Sequence, residues 1–254
     1  MAPRTALVRP PAASLADGIV THLERQPVDV ERARRQHAAY AAALASAGWA
    51  IREIPAADDL PDSVFVEDAV VVVDELAVMT RPGAAQRRPE LTAVEDAARD
   101  LGLTIARLDA PATLDGGDVL QVGETIYVGR SARTNDAGIA QLADLVAPRG
   151  RRVVPVELGA VLHLKSAVTA LPDGTFVGDR SVIDMSQLGP RIDVLEPSGC
   201  HVVPLGGNAI LMAESAPRTA EVFADRGLAP VVVDISEFEK LEGCVTCLCV
   251  LVGS

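Results

Sequence analysis

The chain has 254 residues, 49% of them hydrophobic but only 3% aromatic, and a formal net charge of −12. That length suits one large domain or two small ones, with a core built from Val, Leu, Ile and Ala rather than from rings. The acidic balance excludes a nucleic-acid partner, and the four cysteines make no disulfide framework in a chain of this length.

No apolar run reaches the roughly 18 residues of a membrane span. The N-terminal MAPRTALVRPPAAS has no apolar signal core. The sequence therefore predicts a cytoplasmic protein with free thiols.

In chain order, TALVRPP reads as a strand stopped by two prolines. Residues 12–28 have no period and read as a long surface loop of the functional kind. From Asp29 a strong helix begins, with Asp29 as its N-cap and Gly48 at its end. WAIREIP is a strand. DSVFVEDAVVVVDELAVMTRPG holds two β runs about a turn at Asp74-Glu75, and a helix (PELTAVEDAARDLG) and a strand (LTIARLDAP) follow. The pattern then returns as GGDVLQVGETIYVGRS, helix TNDAGIAQLADLVAPRG and strand RRVVPVEL. It returns again as the hairpin LKSAVTALPDGTFVGDRSVID, with Pro-Asp-Gly-Thr at its tip, leading to IDVLEPSG and HVVPLG. NAILMAES, helix PRTAEVFADRG and strand APVVVDIS make a fourth unit. The fifth, CVTCLCVLV, looks like a buried strand whose natural partner is the N-terminal one.

A unit of hairpin, helix and strand thus recurs about every 40–50 residues, the range of propellers and solenoids. Five units closed by the first strand predict a single α/β domain over residues 1–254, a five-bladed propeller. An open doubly wound sheet is disfavoured because hairpins recur where it has single strands. No G-x-G-x-x-G and no Walker loop supports a nucleotide site.

The chemistry collects at the ends of the units. Unit one offers Asp62, Glu67 and Asp68 in apolar surroundings, where a charge is costly unless paired. Unit two offers Asp115 and Asp118 around two glycines that permit close backbone approach. Unit three offers His163 between two leucines. Unit five packs Cys244, Cys247 and Cys249 together. A cysteine becomes a nucleophile when a His or a cation lowers its pKa from about 8.5, and extra carboxylates suit a guanidinium. Each residue also has a plain reading: solvated turns for the acids, packing for the histidine and the thiols.

DSVFVEDA, TRPGAAQRR, LDGGDVL, RSARTN, LHLKS and GCVTC, in this order along essentially the whole chain, resemble the dimethylarginine dimethylaminohydrolases of the guanidino-modifying (amidinotransferase-like) superfamily, whose fold is a five-bladed α/β propeller. The resemblance implies Cys247 as nucleophile, His163 as general acid and base, and Asp115 as the residue that orients His163. It implies Asp68 on the guanidinium with Glu67 nearby, and Arg87 and Arg133 on the substrate α-carboxylate. Asp62, with backbone carbonyls near Leu15 and Leu241, would take the α-amino group, Leu15 belonging to a lid. Cys244, beside the nucleophile, departs from the family pattern; neither it nor Cys249 is given a catalytic role, and Cys244 either modifies redox or metal sensitivity or simply packs.

The implied reaction is attack of Cys247 on an Nω-methylated arginine, loss of methylamine or dimethylamine, and hydrolysis of the thiouronium to citrulline. His163, titrating near neutral pH, would serve first as acid and then as base. It needs no metal and no organic cofactor, and zinc would inhibit by capturing Cys247. Arginine deiminase and amidinotransferase chemistry use the same residue set. A thiol metal-binding or redox-sensing protein is a rival of another class. Strand alternation would put Cys247 and Cys249 on one face and Cys244 on the other, which disfavours a three-cysteine metal site. A catalytically dead scaffold is the last rival. Monomer and homodimer both remain open.

Overall fold

The structure, a computed structural model, describes residues 4–179 and 188–253. Strand β1 (Thr5–Val8) pairs in parallel with β2 (Ala50–Glu53). Four further sheets follow in sequence. They are β3 (Val70–Val73), β4 (Leu76–Met79) and β5 (Thr104–Arg107); β6 (Val119–Val122), β7 (Thr125–Arg130) and β8 (Arg152–Glu157); β9 (Val168–Ala170), β10 (Phe176–Gly178) and β11 (Arg191–Asp193); and β12 (Val203–Gly206), β13 (Ala209–Ala213) and β14 (Ala229–Val233). The last strand, β15 (Val250–Val252), lies antiparallel to β1 and makes the first sheet three-stranded as well.

Every sheet joins one antiparallel pair to one parallel pair. The connections follow from that. An antiparallel pair closes through a two-residue turn, and a parallel pair needs a crossover. Asp74 turns the β3–β4 hairpin at φ +53°, and Gly123 turns β6–β7 at φ +58°, the left-handed backbone such turns demand. The crossovers carry helices α1 (Val30–Ser46), α2 (Leu91–Asp100), α3 (Asp136–Val146) and α4 (Pro217–Asp225). A short α5 (Ser236–Glu239), which no sequence signal announced, follows β14. Residues 180–184 of the expected third hairpin lie outside the described residues.

The start of α1 matches its sequence signal: the Asp29 side chain accepts a bond from the Arg32 amide at 2.9 Å. Beyond its end Gly48 sits at φ +88°.

Two expectations are corrected. SVFVED is not a strand; Val66–Ala69 form a 3-10 turn and pairing starts at Val70. CVTCLC is not a strand either. The Cys247 amide bonds the Cys244 carbonyl at 3.1 Å, so the segment is a tight turn, and pairing starts only at Val250. Its apolar composition reflects burial, not extension.

The core is aliphatic. One cluster, including Ala6, Val8, Tyr40, Leu44 and Phe238, takes in Val245 and Leu248 of this turn. Among the described residues no helix is long and apolar enough to cross a membrane.

Candidate active site

The segments before β3, β9 and β15, with the loops after β4 and β7 and part of the 12–28 loop, converge on one small cavity of about 30 Å³, scarcely more than a single water needs. Asp62, Asp68, Arg87, Arg133, His163, Leu241 and Cys247 line it. Five of them, Asp62, Asp68, Arg87, His163 and Leu241, are nearly fully buried.

His163 sits at its centre. One ring nitrogen, Nε2, is 3.1 Å from Asp115 Oδ2, and the other, Nδ1, is 4.0 Å from Asp68 Oδ1. The second Asp115 oxygen accepts the Gly83 amide at 2.9 Å, which fixes the carboxylate that fixes the ring. Burial alone would strip the proton from this imidazole. The charges of Asp68, Asp115 and Asp118 outweigh it, and the pKa is raised to about 9. The near-neutral titration expected from sequence is therefore corrected upward.

Burial works against the charge of Asp68, but His163 and Arg87 prevail and hold its pKa down to about 2. Its Oδ1 accepts the Gly117 amide at 2.9 Å. That contact requires glycine: a Cβ on residue 117 would stand 2.6 Å from His163 Nδ1 and 2.8 Å from Asp68 Oδ1. Of the two acids flanking these glycines, Asp115 faces His163. Asp118 instead accepts from the Leu164 amide, Ser131 Oγ and Thr134 Oγ1, tying the histidine segment to the loop that carries Arg133.

Arg87 is engaged before any substrate arrives. It bonds Asp68 at 2.5 Å, Glu90 through Nε and Nη2, and the carbonyls of Asp62 and Phe65. Glu90, which the sequence reading missed, shares with Asp68 the neutralisation of this buried cation. Both expected arginines line the cavity, and the nearest carboxylate contact of Arg133 is 3.6 Å to Asp115. Arg87 holds Asp68 and the Asp62 backbone in place.

Glu67 is also displaced from the expected place. It pairs with Lys165 at 2.5 Å and accepts from Thr246 Oγ1 at 2.9 Å. Burial, against the pull of Lys165, raises it to about 7. Glu67 and Thr246 line a second, larger cavity of about 860 Å³, while their neighbours Asp68 and Cys247 line the small one. The larger void holds none of the Asp68, His163 and Cys247 group.

Leu15 is fully buried in the core, and its carbonyl accepts the Gly18 amide. A Cβ on Gly18 would stand 3.0 Å from Asp62 Oδ1, 3.2 Å from the Leu15 carbonyl oxygen and 3.4 Å from Leu241 Cδ2, so these three expected residues lie together. The loop reaches the cavity at Ile19, whose amide bonds Asp62 Oδ1 at 3.0 Å. Residues 21–23 of the same loop converge on Glu242. Its carboxylate accepts from the amides of Thr21, His22 and Leu23 and from Thr21 Oγ1.

Cys247 sits in its tight turn 3.2 Å, sulfur to sulfur, from Cys244, which overturns the opposite-face expectation. The two thiols titrate as a pair. The hydrogen bond between them draws the Cys244 pKa well below an ordinary thiol. The same bond, with burial and nearby Glu67 and Asp68, holds the proton on Cys247. Cys249 is pushed up to about 12 by burial and lines the larger cavity. Among the described residues one set could hold a metal, Asp68, Asp115 and His163. Their carboxylate oxygens also accept from Arg87, Gly117 and Gly83, and Asp115 bonds His163.

Comparison with known proteins agrees with this geometry. The family model described as arginine deiminase matches residues 53–224. A dimethylarginine dimethylaminohydrolase of Streptomyces coelicolor is 57% identical over 98% of this chain and 97% of its own length. The structure of a dimethylarginine dimethylaminohydrolase mutant from Pseudomonas aeruginosa complexed with citrulline superposes with a TM-score of 0.91 at 32% identity, covering 99% of this chain and 100% of that one. An adduct of a dimethylarginine dimethylaminohydrolase with S-methyl-L-thiocitrulline gives a TM-score of 0.91 at 31% identity, over 98% and 99% of the two chains. The chain belongs to the dimethylarginine dimethylaminohydrolase family, within the wider group matched by the arginine deiminase model.

Proposed function

We propose that this protein hydrolyses Nω-methylated arginines to citrulline and methylamine or dimethylamine. The observation that carries the reading is the convergence of Cys247, His163 and Asp68 on one cavity, with the far nitrogen of His163 held by Asp115. The relatives' names and the citrulline and thiocitrulline complexes of the related structures support it.

Asp68, ionised and backed by Arg87, receives the guanidinium. That cation lowers the neighbouring Cys247 thiol by direct attraction, and the thiolate adds to the guanidinium carbon. His163, which arrives protonated, gives its proton to the departing amine, leaving a thiouronium on sulfur. The neutral ring then takes a proton from water, which attacks the same carbon and breaks the C–S bond, releasing citrulline. Arg133 faces the α-carboxylate, and Asp62 the α-amino group. The five sheets form the blades of a propeller, residues 1–254 make one domain, and the protein works in the cytoplasm.

A second reading, hydrolysis of unmethylated arginine, is favoured by the breadth of the family model. Citrulline release from asymmetric dimethylarginine, monomethylarginine and arginine, measured in parallel, decides between them. Turnover is expected for the methylated substrates and is expected to vanish in Cys247→Ser. Full activity in that variant would sink the scheme, and turnover of arginine alone would replace the substrate class.

A further inference from the structure

Cys244 and Cys247 form a C-x-x-C pair on one turn. The Cys247 amide bonds the Cys244 carbonyl at 3.1 Å, the Cys244 amide points to Cys247 Sγ at 3.4 Å, and the two sulfurs lie 3.2 Å apart. A disulfide needs about 2.05 Å, so the sulfurs have roughly 1 Å to travel, within side-chain rotation and a small adjustment of the turn.

The surroundings give the two thiols different tasks. Cys247 lines the cavity, where a small oxidant can reach it. Cys244 is only 5% exposed, so an oxidant meets Cys247 first. Cys244 contacts Thr246 Oγ1 at 3.3 Å and feels the charge of His201, both of which favour its thiolate. Cys249 is turned away to the larger cavity and cannot compete for the same partner.

We propose that Cys244 is a resolving cysteine and that Cys244–Cys247 is a reversible, peroxide-driven disulfide site that withdraws the nucleophile and protects it from irreversible oxidation. In the first step Cys247 sulfur attacks a peroxide oxygen. The O–O bond breaks, the leaving hydroxide takes up the Cys247 thiol proton as water, and Cys247 becomes a sulfenic acid. In the second, Cys244 sulfur attacks Cys247 sulfur. The S–O bond breaks, and the leaving hydroxide takes up the thiol proton as water. Overall two thiols lose two hydrogens and one hydrogen peroxide becomes two waters. A dithiol reductant reverses the bond by thiol exchange. The proposal goes beyond the reaction above and needs only the thiol pair, so its test is read on the protein's mass rather than on turnover.

Reduced protein is treated with hydrogen peroxide, alkylated under denaturing conditions and cleaved after Lys240, which puts all three C-terminal cysteines on one peptide. The expected wild-type peptide has lost two hydrogens, carries alkyl only on Cys249, and reverts with dithiothreitol. Cys249→Ser forms the same bond. Cys244→Ser instead gains two oxygens at Cys247, irreversibly. Sulfinic acid at Cys247 of the wild type as fast as in Cys244→Ser overturns the proposal, as does a bridge to Cys249. If Cys244→Ser does not fold, the wild-type and Cys249→Ser peptide maps decide alone. A bond that forms in a protein inert toward methylarginines leaves this inference standing and removes the proposed function instead.

Discussion

His163 stands among three carboxylates, and its proton is part of what holds them together. Its pKa rises from 6.5 to about 9 in the folded protein. A group raised on folding stabilises fully below its unfolded value, and that contribution is lost as pH rises through the folded value. The stability that His163 confers is therefore expected in full below pH about 6.5 and gone by about 9. The span corresponds to roughly 3 kcal/mol, at 1.36 kcal/mol per unit. Urea denaturation of wild type and His163→Asn at pH about 6 and about 10 tests it. The difference between the two proteins should shrink toward the higher pH, and a constant difference would mean that the ring is neutral in the folded state. Glu67, raised to about 7, also titrates between the two measurements, but in both proteins, and so cancels in the comparison. At this scale the sequence showed which residues meet but not what each touches. His163, Asp68, Asp115 and Cys247 were legible as acids, a base and a thiol in apolar or glycine-rich settings. The capture of Arg87 by Glu90 depends on the 3-10 turn over Ala85–Glu90, and no spacing rule marked Lys165 as the partner of Glu67 across 98 positions.

A cavity of about 30 Å³ cannot admit an arginine derivative, and the loop of residues 12–28, which reaches it at Ile19, is the element expected to yield. Its fastening is concentrated in Glu242. That residue adopts a left-handed φ of +62°, a conformation that costs a non-glycine residue of order 1–3 kcal/mol, and its carboxylate gathers three successive amides and one hydroxyl of the loop. These bonds hold its pKa below the ordinary value against the opposing effect of burial. Glu242→Gln is expected to weaken the closed state by about 1.4 kcal/mol, in the range of hydrogen bonds to a charged group. If the loop closes over bound ligand, KM should rise about 10-fold with kcat less affected. Faster amide hydrogen exchange at Thr21, His22 and Leu23 is the readout that assigns the effect to the loop. Unchanged exchange with raised KM would place Glu242 on the substrate instead. Locally signalled elements were the ones that read correctly. Asp29 and Gly48 bracket α1, and a Gly-Glu pair turns β6 into β7. The Cys244–Cys249 turn was misread because Val, Leu and Cys suit a buried strand equally well, and Gly243 was the one hint. A Cβ there would meet Phe65 Cε1 at 2.4 Å, a constraint set by a residue 178 positions earlier and invisible to local propensity.

At the scale of the whole molecule, the two ends of the chain share one sheet. β1 lies between β15 and β2, with Thr5 opposite Val252 and Leu7 opposite Val250. Val250 and Val252 also pack with Val66, Val70 and Met79 of the next unit. The last three strand residues thus join the first sheet to the second, and β15 begins three residues after Cys247. If the five sheets melt as one body, damage at β15 must appear everywhere at once. If the first sheet opens alone, the nucleophile turn should loosen while the rest stays folded. Val252→Asp places an unpaired carboxylate in this seam. It is expected to cost about 3 kcal/mol or more, through lost apolar burial and the desolvation of a polar group, and so lower the Tm by roughly 6–12 °C, at the 2–4 °C per kcal/mol usual for a chain of this size. Two probes followed through the same melt separate the cases: far-ultraviolet circular dichroism for the body, and the alkylation rate of Cys247 for the turn. Coincident transitions shifted together support a single cooperative unit. A Cys247 transition that precedes the loss of secondary structure would show that the chain closes its sheets without coupling them, and that the site can be lost while the fold persists.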